Sequence, residues 1–401
     1  MSGISGISGI SGISGISGIS GISGISGISG ISGISGISGI SGISGSGLGG
    51  APLDALIRHR DAIAGPWLGV TSGANELPPD KAEHLKRCPP DIRAWAFDQE
   101  ILSSLRVVYD GSAAAGNPAR HACVVWHAEV APPSTDATVA KLVEIVRPPF
   151  ATFQAQLKRV EEYADLREDR ALEIASQVGP QAAYWETVLN LRPWQHPRTL
   201  ELALLTLRIA NAVAQRAKLI LACRRPVELS AQIQPLLPTP GHGALPSGHA
   251  NEAFAVATVL GALASNAGAN ASSANPGAAM MPMLYRQAAR IATNRTIAGL
   301  HFPVDHAAGQ VLGLSIAEYL LARCGAAPGN GLATWTFDGI AYPADLEHEY
   351  DRQFDATLSA RLAPGAAGLP AYVKGEALGV AVPPSPLLQW LWAAAKAEWT
   401  A

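Results

Sequence analysis

Residues 238–263 read PTPGHGALPSGHANEAFAVATVLGAL, and the reading of the whole chain turns on Pro246-Ser247-Gly248-His249 within them. A proline and a glycine flank a serine, a histidine follows, and an apolar helix-like run begins at once. That layout puts the backbone N–H groups of Gly248 and His249 at a helix N-terminus, where unpaired donors and the helix dipole attract an anion. Gly248 has no side chain, so its backbone can approach a ligand closely. Ser247 adds a hydroxyl donor, and His249 a proton carrier that titrates near neutral pH.

Fixed cations for the same anion stand on both sides of this stretch. Upstream, Lys218 and Arg225 lie seven residues apart in KLILACRRP, a spacing that returns to nearly the same face of a continuous helix. With Arg208, Asn211 and Gln215 they form a polar stripe through an otherwise apolar segment. Downstream, NRTIAGLHFPVD supplies Arg295, His301 and Asp305. The last two are four residues apart, so the carboxylate can orient the imidazole and stabilise its charged form. Pro303 suits the first turn of a new helix, which sets His301 just before its start.

In order along the chain, the blocks KxxxxxxRP, PSGH and RxxxxxHxxxD resemble the signature of one superfamily. It joins type 2 phosphatidic acid phosphatases, bacterial acid phosphatases and vanadium-dependent haloperoxidases. Asn294 departs from the pattern, which more often has serine beside the arginine. The resemblance covers roughly residues 150–325 and implies a mainly α fold, a helical bundle with its oxyanion pocket at helix ends. It also implies the roles. Lys218, Arg225, Ser247, Gly248 and Arg295 hold the oxyanion. His301, oriented by Asp305, is the nucleophile toward phosphorus or the direct ligand of vanadium in vanadate, and His249 is the acid–base.

Two activities follow from one geometry, because phosphate in transfer and bound vanadate have nearly the same shape. One is a vanadate-dependent haloperoxidase that oxidises halide with hydrogen peroxide, Lys218 polarising the oxidant. The other is a soluble acid phosphatase that works on phosphate monoesters through a phosphohistidine. His242 tilts the choice toward the haloperoxidase with bromide. Algal bromoperoxidases carry histidine at that position, fungal chloroperoxidases an aromatic residue, and acid phosphatases usually neither. A cationic His242 would hold the halide; the plainer alternative is a solvent-exposed loop histidine. A third reading is a non-catalytic phosphate- or vanadate-binding or assembly protein, for which two histidines and an orienting carboxylate are superfluous.

A net charge of −3 gives no bulk field for nucleic acid. Only 15% of residues are charged against 48% apolar, a balance that predicts a sizeable helical core. Cys88, Cys123, Cys223 and Cys324 are scattered without a CxxC pair and read as reduced thiols. No stretch approaches the roughly 20 apolar residues of a membrane span, so the chain is expected to be soluble. Without a secretion signal it is expected in the cytoplasm, and an oligomer is possible.

Residues 2–43 are tandem Ser-Gly-Ile triplets, whose period fits neither helix nor strand. They are either a triplet expansion or misplaced start without a folded role, or an assembly tail of uncharged isoleucine repeats. The expected domains are 1–47 (low complexity), 48–149 (helices and loops), 150–325 (the bundle) and 326–401 (loops and helices packed on it). Helices are predicted at 54–64, 92–108, 153–178, 180–191, 199–224 with Thr199 as N-cap, 250–265, 282–296, 304–324 and 371–378. A strand or buried extended run is expected over 121–130, a flexible loop over 266–277, and packing roles for Trp390, Trp392 and Trp399.

Overall fold

The structure, a computed structural model, describes residues 63, 65–69, 78–111, 120–130, 136–179, 181–268, 276–326, 332–348 and 369–399. The Ser-Gly-Ile repeat and, apart from Ile63, the helix expected over 54–64 lie outside them. The chain divides into two compact units, Met1–Ala96 and Phe97–Ala401. In the first, a 3-10 turn (Ala82–Arg87) precedes helix α1 (Pro90–Ser104), and the Arg93 guanidinium donates to the carbonyls of Leu85 and Cys88.

The second unit corrects the expectation of an all-helical bundle. The sequence RVVYD has β-branched and aromatic side chains that favour a pleated, half-buried surface, so the chain leaves α1 at Leu105 and enters strand β1 (Leu105–Asp110). Strands β2 (Ala122–Val130) and β3 (Ala137–Val146) follow and pair antiparallel, from Leu105↔His127 through Ala122↔Val146. The run over 121–130 is thus the strand β2.

After β3 the helical part begins. Helix α2 (Phe150–Glu162), a 3-10 turn (Tyr163–Leu166) and α3 (Arg167–Ser176) replace the single helix expected over 153–178. Then come α4 (Ala182–Leu189), α5 (Pro197–Leu221), the single turn α6 (Pro226–Leu229), α7 (Gly248–Gly268), α8 (Pro276–Ile297) and α9 (Pro303–Arg323). The middle of the loop expected over 266–277 lies outside the described residues.

Strand β4 (Ala333–Asp338) pairs parallel to β3, so the helices form the crossover between two neighbouring strands. Strand β5 (Val373–Ala377) closes the sheet antiparallel to β4, where a helix over 371–378 was expected. The Ala/Leu/Glu content there favoured helix, but the open edge of β4 offers a hydrogen-bonding ladder and pairing overrides so short a propensity. Sheet order is β1-β2-β3-β4-β5. The last helix is α10 (Pro386–Ala397).

Helix α7 is the hub, packed on α8, α9 and α5, while the sheet lies against α5 and α9. Helix α9 is buried along its whole length, and its glycines let α7 come close. A Cβ on Gly309 would stand 2.5 Å from the Ser247 carbonyl oxygen, and one on Gly313 would collide with Asn251 O. Helix α5 is not capped by Thr199. His196 is its N-cap, Pro197 its first residue, and the Glu398 carboxylate accepts from Arg198 N (2.6 Å), Thr199 N (2.9 Å) and Thr199 Oγ1 (2.9 Å). The tryptophans pack beside it: Trp390 under Arg198, Trp399 donating to Thr199 Oγ1, and Trp392 buried.

All four cysteines are free, and burial pushes the Cys123, Cys223 and Cys324 thiols up to about 12, out of the reactive range. No described helix is long and apolar enough to cross a membrane.

Candidate active site

Lys218 lies in the last turn of α5 and is buried. Its Nζ donates to three carbonyls of the loop entering α7: Gly243 (3.2 Å), Ala244 (3.0 Å) and Pro246 (2.6 Å). Arg225 does not share its helix face. Ala222, at φ 48°, ends α5 in the left-handed region, and two residues without regular structure lead to Arg225, the extended N-cap of α6. The sequence spacing brings both cations to one site, but by a turn rather than by helical periodicity.

Arg225 ties the blocks together. Its Nε donates to His242 O (3.0 Å), its Nη1 to Leu300 O and His301 Nε2 (both 2.9 Å), and its Nη2 to His242 Nδ1 (3.0 Å). A guanidinium can only donate, so His301 Nε2 and His242 Nδ1 both present lone pairs. His301 Nδ1–H then donates to Asp305 Oδ2 (3.0 Å), which also accepts the Phe302 N–H (2.9 Å). Pro303 opens α9 as expected, fixing the four-residue step from His301 to Asp305. The Asp305 carbonyl accepts from Ser247 N (2.8 Å), joining the second block to the third.

Ser247 is buried, and its Oγ accepts the Ala250 N–H (3.4 Å), which leaves the hydroxyl proton to donate elsewhere. Gly248 is the first residue of α7, where backbone N–H groups lie outside the helical ladder. A Cβ on Gly248 would meet nothing nearer than 3.8 Å, the Lys218 Cε and Glu252 Oε1. Protein packing therefore does not require a glycine there; its missing side chain keeps a space open beside Lys218.

Arg295 is buried at the end of α8. Its Nη2 donates to Ile174 O (3.0 Å) and Gln177 Oε1 (2.9 Å), while its Nε and Nη1 are buried with no partner among the described residues. A guanidinium edge desolvated and left unpaired is costly unless an acceptor joins it. Gln177 was not legible in the sequence, where it is one polar residue near a helix end. Buried, it also accepts Asn294 Nδ2 (2.9 Å) on its side chain and His249 Nε2 (3.0 Å) on its carbonyl. Asn294, the departure from the family pattern, thus helps to place the residue that holds both Arg295 and His249.

The electrostatics follow from burial among cations. Burial and the Arg225 charge lower Lys218 to about 7, opposed by Asp305 and Glu252. Burial raises Asp305 to about 7 against the Phe302 N–H and the two cations. Burial, then Arg225 and Lys218, hold His301 well below its ordinary value, so its ring is neutral. His249 falls to about 3 through burial and Arg295. Burial of one side and the Lys218 charge take His242, at the exposed rim, down to about 4. This corrects the cationic His242: with its Nδ1 accepting from Arg225, it is a neutral ring at neutral pH. Glu252 is a second group the sequence did not single out. It accepts from Asn211 Nδ2 (2.8 Å) and is raised to about 7 by burial. His306 and His348 pack behind His301, the first tilted against it and the second edge-on to the first, hydrogen-bonded to Thr296 and Gln310 as neutral core histidines.

Three separated blocks thus meet through direct hydrogen bonds around one neutral histidine and three buried cations. Residues 200–324 match the PAP2 superfamily. This PAP2 segment runs from α5 to the end of α9 and contains every candidate site residue named from the sequence. The superfamily is one of phosphatases and haloperoxidases. Comparison with curated proteins gave no match. Gln177, which the PAP2 segment needs to hold His249 and Arg295, comes from outside it, at the C-terminus of α3.

Proposed function

We propose that the protein is a phosphatase that passes the phosphoryl group of a phosphate monoester to His301 and then to water. The observation that carries this reading is the state of the His301 ring: neutral, Nδ1–H on Asp305, and the Nε2 lone pair aimed at Arg225. An oxyanion entering the site takes over the Arg225 Nη1 donor, which frees Nε2 to attack phosphorus. The P–N bond forms as the P–O ester bond breaks, and the Asp305 carboxylate stabilises the resulting imidazolium. Lys218, Arg225, Arg295, the Ser247 hydroxyl and the Gly248 N–H bind the phosphoryl oxygens. His249 gives a proton to the leaving alkoxide and later takes one from the attacking water. For this its low free-protein pKa must rise when the anion binds and offsets the Arg295 charge.

Incubation with p-nitrophenyl phosphate, followed by alkaline quench and intact mass, tests the reading. One acid-labile phosphoryl group on His301, absent in His301→Ala, is the expected result. Turnover that persists in His301→Ala would end it.

The haloperoxidase reading keeps one specific support, His242 at the rim on Arg225. Vanadate suits the same donors: the unpaired Nε and Nη1 of Arg295 and the space at Gly248 fit an oxyanion of that shape, with His301 Nε2 as the ligand of vanadium. When bound there it would supply activation of hydrogen peroxide for halide oxidation. His242 would then offer bromide only a neutral Nε2–H. Protein prepared free of phosphate and assayed for bromide oxidation with and without orthovanadate decides between the two.

A further inference from the structure

We infer that the substrate's leaving group carries a second anionic group and that Arg224 binds it in a cleft beside the site. This rests on the phosphatase reading. A cleft of about 590 Å³ opens to solvent between the end of α5, the start of α6 and the 239–243 loop. Lys218 and His242 line it, and both also belong to the oxyanion site. An ester whose phosphoryl group sits on Lys218 and Arg225 therefore has its leaving group directed into this space. The volume suits a small organic molecule.

The walls say which kind. Leu219, Val227 and Pro240 give it apolar surface, and Arg224, an exposed cation, lines it as well. Successive side chains on extended backbone point to opposite sides. The two neighbouring arginines differ accordingly: Arg225 is buried, its donors taken by Leu300, His301 and His242, whereas Arg224 is exposed and lines the cleft. Arg224 has no hydrogen-bond or ion-pair partner among the described residues. The carboxylate in the cleft, Glu228, is held by Arg225 N (2.6 Å). A free planar fork next to a phosphoryl site matches a carboxylate or a second phosphate.

The test compares phenyl phosphate with 4-carboxyphenyl phosphate and 1,4-phenylene bisphosphate on the intact chain, and calorimetric binding of phenylphosphonate with that of 4-carboxyphenylphosphonate. Wild type is expected to favour the doubly anionic compounds by roughly 3- to 10-fold in kcat/KM and in affinity, less at high salt because the contact is partly exposed. Arg224→Ala should remove the preference while phenyl phosphate is handled as before, and Arg224→Glu should reverse it. A preference for carboxylate alone, or for phosphate alone, that disappears in Arg224→Ala identifies the anion and supports the inference. Equal handling by wild type, or a preference that survives Arg224→Ala, overturns it. If nothing is hydrolysed but the Arg224-dependent binding preference stands, the Arg224 anion subsite holds while the phosphatase reading, and with it the leaving group, falls.

Discussion

Asp305→Asn separates orientation of His301 from stabilisation of its charge. Asparagine can still accept the Nδ1–H and the Phe302 N–H through its oxygen, so the tautomer and the start of α9 survive. What disappears is the negative charge opposite the imidazolium that forms when Nε2 bonds to phosphorus. Charge and ring are in direct hydrogen-bond contact at 3.0 Å. Two unit charges roughly 4 Å apart at an effective dielectric of about 20 interact by about 4 kcal/mol, the upper bound. Replacing a charge-assisted hydrogen bond by a neutral one loses about 1 kcal/mol or somewhat more, the lower bound. Those limits correspond to a fall in kcat between roughly 10-fold and 10³-fold. KM should stay within about threefold, since the free-protein ring is already neutral and Asp305 does not face the anion. Steady-state hydrolysis of p-nitrophenyl phosphate, with single-turnover formation of the phosphoenzyme, measures both. Wild-type kcat in Asp305→Asn, or a loss confined to KM, would refute stabilisation of the His301 imidazolium by the Asp305 charge as a basis of its reactivity.

Gly309→Ala should lower Tm even though alanine favours helix by about 1 kcal/mol, because its Cβ meets the Ser247 carbonyl at 2.5 Å and overpacking costs about 1–3 kcal/mol. As Ser247 must move, KM for the phosphate ester should rise too; an unchanged Tm and KM would contradict the close packing of α7 on α9. Glu398→Ala removes the acceptor of three hydrogen bonds at the start of α5 and should cost about 1–2 kcal/mol in thermal unfolding, with kcat unaltered. An equal Tm would remove Glu398 as the cap. His249 has a folded-state pKa of about 3, below the unfolded value, so its contribution to stability is present above about pH 6.5 and lost as pH falls toward 3. His249→Gln should reduce proton uptake on unfolding at pH 5 by about one, and by the same token abolish proton uptake on phosphate binding, read by calorimetry in two buffers. Identical uptake in mutant and wild type would mean that another group carries the proton.

Sequence was enough for the starts of α7 and α9 and for the chemistry that gathers there. Pro303 and the step from His301 to Asp305 are local, set by the first turn of one helix, and PSGH likewise needs only the entry to α7. Residue types that bind oxyanions are rare in so apolar a segment, so Lys218, Arg225 and Arg295 stood out before any contact was known. Tertiary structure alone decided the rest. The helices of 97–326 are amphipathic or buried whichever partner covers them, and their pattern does not say that a sheet lies behind α5 and α9. The β3–β4 pairing joins residues nearly the whole helical crossover apart, and residues 373–377 become a strand because β4 offers an open edge. Gln177 carries no signal of its own; it matters because the end of α3 lands on His249 and Arg295. His242 shows the same limit from the other side. Its ordinary titration range suggested a cation, and only the packing that puts Arg225 on Nδ1 and Lys218 nearby makes the neutral ring the stable form. Charge states of this kind depend on neighbours distant in sequence, because desolvation and Coulomb interaction act through space and not along the chain.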